Sequence, residues 1–114
     1  MTPLTVTARD TDAGPVLEVA GELDYDTAPR LREAVESLSL EPGRRLVLDL
    51  GRMDFCDSSG ITALIVAHHH ANAAGARLSL VAVPARTLRT LRIAGLDQVF
   101  TISPGPGQDR KDTT

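Results

Sequence analysis

Two serines stand side by side in Asp57-Ser58-Ser59-Gly60, between an apolar stretch and a helical one. A serine at a helix start ordinarily caps it, its hydroxyl accepting a hydrogen bond from a free backbone N–H. One cap needs one side chain. Asp57 or Ser58 can fill that place, which leaves Ser59 in the first turn, exposed and free. Gly60 beside it is expected to let another molecule approach closely. A free hydroxyl there can accept a phosphoryl group, because backbone donors and the helix dipole stabilise an added anion. Asp24 and Asp57, if near, would oppose the new charge. A partner docked on the neutral site would then lose affinity through repulsion and desolvation.

Other residues invite chemistry less well. His68-His69-His70 looks like a metal site, but successive helical residues point ~100° apart and cannot converge on one ion. A solvated face is the expectation, and no metal or other cofactor. Those histidines would also sit roughly 14 Å or more along the helix from Ser59, far outside the ~3 Å that a base needs. With no Gly-x-Ser-x-Gly elbow either, a serine hydrolase is disfavoured, and the chain is not expected to be an enzyme. Cys56, between Phe55 and Asp57, reads as a small buried side chain. Arg86, Arg89 and Arg92 form a basic stripe, read as a solvated face first and a contact for an acidic partner second.

The elements that must position the serines follow from pattern. Leu4-Thr5-Val6-Thr7-Ala8 alternates as a half-buried strand. The turn formers from Asp10 to Pro15 reverse the chain, and Val16-Leu17-Glu18-Val19-Ala20 returns as an antiparallel partner. After Gly21-Glu22-Leu23-Asp24 a helix opens, capped by Asp24, Asp26 or Thr27, with Pro29 near its first turn. Its stripe is Leu31, Ala34, Val35 and Leu38, and Glu41-Pro42-Gly43 stops it. Leu46-Val47-Leu48-Asp49-Leu50 reads as a strand buried on both faces. Asp54 to Gly60 links it to a helix faced by Ile61, Leu64, Ile65 and His68, with Gly75 at its C′ position. Leu78 to Val83 is a strand. Pro84 opens a third helix carrying Leu88 and Leu91, and Gly95 closes it. Val99 to Ile102 is the last strand. The polar, Pro/Gly-rich tail 103–114 is expected to be disordered.

The order ββαβαβαβ predicts a single α/β domain over 1–102, a mixed, mostly parallel five-stranded sheet flanked by helices. The corners at Gly21–Asp24 and Asp54–Gly60 both follow parallel strands. They should open at one sheet edge, where α/β sites gather. Composition agrees with one modest domain: 114 residues, 42% hydrophobic, 3% aromatic, net charge −3. With no basic block, nucleic acid is not an expected partner. A single cysteine, no leader pattern and no apolar run near ~18 residues point to a cytoplasmic protein that does not enter membranes.

Gly21-Glu22-Leu23-Asp24 with Thr27-Ala28, Leu48-Asp49-Leu50, Phe55-Cys56-Asp57-Ser58-Ser59-Gly60-Ile61 and Ala94-Gly95-Leu96 together resemble the STAS-domain anti-sigma factor antagonists of bacteria. The resemblance runs in order from about Leu4 to Ile102. It implies a partner-switching protein. The unphosphorylated form would bind an anti-sigma factor that is also a serine kinase, and so release a sigma factor. That kinase would phosphorylate Ser59, with Ser58 as second choice, and a PP2C-type phosphatase would reset the switch. The implied partner-binding set is Asp24, Asp57, Ser58, Ser59 and Gly60, on a monomer that forms hetero-complexes. Many members end in a further helix, which the tail here would shorten or remove. The alternative within this fold is a small cytoplasmic STAS subunit of a phospholipid-trafficking ABC transporter.

Overall fold

The turn formers at Asp12-Ala13-Gly14 fold the chain back on itself. In a computed structural model the flanking segments pair as antiparallel strands β1 (Thr5–Thr11) and β2 (Gly14–Leu23). The Thr11 hydroxyl donates to the Gly14 carbonyl at 2.7 Å, closing the hairpin. The structure describes residues 3–103. Helix α1 (Ala28–Glu36), strand β3 (Arg45–Cys56), helix α2 (Ser58–Ala73), strand β4 (Arg77–Val81) and helix α3 (Ala85–Ile93) follow. A single 3₁₀ turn, Leu96–Gln98, leads to strand β5 (Thr101–Ser103).

The sheet runs β1-β2-β3-β4-β5, and every pair after the first is parallel. Each strand–helix–strand step advances one strand in the same direction. Right-handed crossovers therefore set all three helices on one face. Leu17, Leu48 and Leu80 share a register row. They form one buried cluster with Leu31 and Val35 of α1 and Leu64 and Ala67 of α2. The adjacent row, Thr7, Glu18, Asp49 and Val81, points to the other face and is half-buried or exposed. β3 is thus not buried on both faces, because no helix among the described residues covers the second one.

Other boundaries also differ from the pattern reading. α1 ends at Glu36, not at the Pro-Gly stop, because the Ser37 hydroxyl donates to the Ala34 carbonyl at 2.8 Å and competes with the next helical bond. Leu38 lies past the helix yet still packs against the core. Val99 and Phe100 are not strand residues. Both donate their N–H to the Leu96 carbonyl, which closes a turn and drops the Phe100 ring into the core. Ser103 belongs to β5, so the tail read from composition begins no earlier than 104. Residues 104–114, and with them any terminal helix, lie outside the described residues. No helix among the described residues is long and apolar enough to cross a membrane.

Leu50 is fully buried at the centre of the cluster. Replacing Leu50 with Ala should lower the unfolding free energy by about 2–5 kcal/mol. The readout is a lower urea midpoint at unchanged slope. Val66→Ala, on the outer face of α2, should stay within about 0.5 kcal/mol.

Candidate functional site

Strand β3 reaches the serine loop by way of two bulges. Opposite Leu17, Gly21 and Leu23 it presents Leu48, Met53 and Cys56. The register shifts between Glu18 and Ala20, and again between Gly21 and Glu22. At each shift β3 carries one extra residue, which restores an inward side chain after alternation has been broken. Gly21 at the second shift has φ +98°, and a Cβ there would strike the Pro3 carbonyl oxygen. Only glycine suits that place.

The two corners meet at the edge where β2 and β3 end. The Asp57 N–H donates to the Leu23 carbonyl at 3.2 Å. Asp57 has extended backbone, and its Oδ1 accepts from the Gly60 N–H at 3.0 Å. Of the two cap candidates, Asp57 is therefore the cap, and a carboxylate at that end complements the helix dipole. Gly60 turns inward. A Cβ on it would lie 2.7 Å from Cys56 Sγ and 2.8 Å from the Leu23 carbonyl oxygen. Its bare Cα thus serves the close seating of α2 on the sheet. The expectation that it opens the surface to a visitor is corrected by this packing.

Ser58 is exposed and Ser59 half-buried. Ser59 is thus less exposed than its first-turn position implied, because it faces α1 across a groove of about 450 Å³. Tyr25, Asp26, Pro29 and Arg32 form the far wall, and Thr62 continues the near one. Neither serine hydroxyl has a hydrogen-bond partner among the described residues. The Thr62 hydroxyl is occupied, donating to the Ser58 carbonyl at 3.0 Å.

The Asp24 carboxylate is turned into its own loop. Its Oδ1 accepts from the N–H groups of Asp26 at 3.0 Å and Thr27 at 3.1 Å. Thr27 stands at the N-cap of α1, and its hydroxyl lies 2.8 Å from the Glu22 carbonyl and accepts from the Asp24 N–H at 2.9 Å. These bonds fix the corner and leave Tyr25 at its tip, 79% exposed. Pattern and motif alone single out neither Tyr25 nor Arg32. A signal for Tyr25 does exist: it is the chain's only tyrosine, flanked by aspartates in a turn, where nothing apolar can cover it.

Burial separates the roles of the histidines, the cysteine and the arginine stripe. His68 is not on a solvated face: its ring meets Phe100 edge-on at 5.6 Å, and its Nε2 lies 3.1 Å from Asn72 Nδ2. It falls on the inward stripe of α2. Among the described residues no group of three or more His, Cys, Asp or Glu could hold a metal ion. Burial, then the Asp57 charge, pushes the Cys56 thiol from 9.0 up to about 12. It is a neutral thiol at physiological pH and a poor nucleophile. Arg86, Arg89 and Arg92 are exposed on α3. A second hollow of about 470 Å³ lies at the opposite end of the sheet, beside Arg9, Pro15, Leu40 and Arg44. It contains no residue of the serine loop.

A family model described as "Mlab, STAS domain" matches residues 6–102. The anti-sigma-B factor antagonist of Listeria monocytogenes is 30% identical over 105 residues, covering 92% of this chain and 91% of the relative. The anti-sigma-F factor antagonist of Mycobacterium tuberculosis is 30% identical over 99 residues, 87% of this chain and 80% of the relative. The crystal structure of an anti-sigma factor antagonist from Mycobacterium paratuberculosis is similar with a TM-score of 0.79 at 28% identity. That match spans 96% of this chain and 92% of the other.

Gly60→Ala puts a methyl group against the backbone oxygen of Leu23, which cannot swing aside as a side chain could. The variant should lose about 1–3 kcal/mol of stability although alanine favours a helix over glycine. Adding Cys56→Ala should not restore it, since the carbonyl stays. Denaturant titration of the two variants checks this.

Proposed function

The chain belongs to the STAS-domain family, and from that premise we propose that it is an anti-sigma factor antagonist controlled by phosphorylation of Ser59. The observation that carries the proposal is the unpartnered Ser59 hydroxyl, half-buried in a groove beside an exposed tyrosine. In this reading the docking surface includes Asp24, Asp57, Ser58 and Ser59, with Tyr25 and Pro29 as its apolar wall, while the buried Gly60 contributes by seating the helix beneath them. An anti-sigma factor binds there as a hetero-complex with one copy of this chain, and the sigma factor is freed.

The same anti-sigma factor acts as a serine kinase. It transfers the terminal phosphoryl group of ATP to Ser59 Oγ; the hydroxyl proton is lost and ADP departs. A PP2C-type phosphatase hydrolyses the ester and restores the serine. The chain is the substrate in both steps and catalyses neither.

Position favours Ser59 over Ser58. Ser58 is exposed and does not line the groove, so phosphate there would keep more of its hydration when a partner docks than phosphate on Ser59. Phosphate on Ser59 adds a charge of roughly −1.5 to −2 inside the groove, next to Asp26 and the Asp57 cap. Docking would strip its water, and repulsion plus lost hydration would turn binding off. The Listeria and M. tuberculosis relatives are named as antagonists and match over four-fifths or more of their own length. That supports this reading over the transporter-subunit alternative.

The test is phosphate mapping on protein purified from its native host. Trypsin releases Met53 to Arg77 as one peptide, and fragmentation separates Ser58, Ser59 and Thr62. Phosphate on Ser59 is the expected result. Phosphate on Ser58 would keep the switch and remove the residue assignment. No phosphate in growth or under stress would overturn the switch.

A further inference from the structure

The groove beside Ser59 holds one cation among the residues that line it, Arg32. Two other arginines of the domain have structural work, whereas Arg9, Arg45, Arg52, Arg77, Arg86, Arg89 and Arg92 share with Arg32 the lack of a side-chain bond among the described residues but do not line this groove. Arg30 donates to the Leu4 carbonyl at 3.2 Å. Arg44 donates to the Thr11 and Ala13 carbonyls and reaches Glu41 at 4.0 Å. Arg32 is exposed and makes no hydrogen bond or ion pair among the described residues. It stands one turn past Pro29 on α1, so both point to the same side of that helix. No contact among the described residues accounts for a guanidinium held there.

We propose that Arg32 is the internal partner of the phosphoryl group on Ser59. This rests on the reading of Ser59 as the modified residue, and it adds how the modified state is held. A guanidinium presents a planar fork that matches two phosphate oxygens at once. Pairing spans the groove from α1 to α2. It also offsets Asp26, the acidic residue that lines the same groove, while the Asp57 carboxylate is spent on the Gly60 N–H. Phosphorylation then acts twice on a docking partner. It adds an anion, and it withdraws the Arg32 cation from any acidic side chain the partner would place there.

The test uses the full chain with phosphoserine installed at position 59 during expression, so no kinase is needed. Titration followed by ³¹P NMR reads the phosphate's second ionisation, which lies near ~6 in an unpaired phosphoserine. A guanidinium within pairing distance should lower it by roughly 0.5–1 unit. Arg32→Gln should raise it by that amount, Arg32→Lys should restore part of the difference, and Arg89→Gln on α3 should leave it unchanged. Arg32 is exposed, so the variants should keep the amide spectrum of the core. A shift below roughly 0.5 units in Arg32→Gln overturns the pairing, and so does an equal shift in Arg89→Gln. Either result leaves the assignment of Ser59 untouched. Conversely, native protein that carries no phosphate on Ser59 would remove that assignment without altering this titration.

Discussion

Helix α2 sits against the end of β2 at a distance that no side chain at position 60 would allow. The Leu23 carbonyl receives the Asp57 N–H at 3.2 Å, and the space a Cβ on Gly60 would need is already taken by that oxygen and by Cys56 Sγ. Most of the site depends on this seating. It fixes where the helix begins, so that Asp57 caps and Ser59 falls one step inside the first turn. It ties the β3–α2 corner to the β2–α1 corner, so that Tyr25 and Arg32 stand across from Ser59 rather than elsewhere on the surface. The two bulges in β3 serve the same end. Without their extra residues β3 would present a different side chain beside Leu23, and the loop would leave the sheet facing another way.

The division of labour among the acidic residues follows from that frame. Asp24 and Asp57 look equivalent as loop aspartates. Both spend an oxygen on backbone donors, Asp24 within its own turn and Asp57 on the Gly60 N–H. Their first task is to hold the two corners still. In the proposed switch, what they contribute to a phosphorylated Ser59 is field, not contact. A rigid corner matters for the proposed switch, which would act through charge. When the backbone does not rearrange, the added phosphate must act where it stands, and a groove with an apolar wall makes its hydration expensive to lose.

Much of this is legible in the residues, for reasons that can be stated. Strand and helix order comes through because aliphatic periodicity is clean in β1, β2, α1 and β4, and Pro29, Pro84 and Gly75 punctuate it. The serine pair stands out because one helix end cannot use two caps. What does not come through is geometry without periodicity. Pattern alone ends β3 at Leu50, because its bulges break alternation at Gly51 and Asp54. It turns Gly60 outward, because a glycine carries no sign of which side is crowded. The triplet reads as a solvated face, yet the helical spacing that sets His68 beside Ile61, Leu64 and Ile65 is the reading that the packing of its ring on Phe100 follows. Arg32 looks like one more surface charge in a helix, since nothing in sequence shows that it lines the same groove as Ser59.

In the proposed switch, one charge at position 59 decides binding. The direct measurement is the dissociation constant between this chain and the anti-sigma factor of its host, taken with serine and then with installed phosphoserine at 59. The serine form should bind tightly, and phosphorylation should weaken binding about 100-fold or more, equivalent to about 2.7 kcal/mol. Equal affinity for the two forms, or no binding by the serine form, would contradict it.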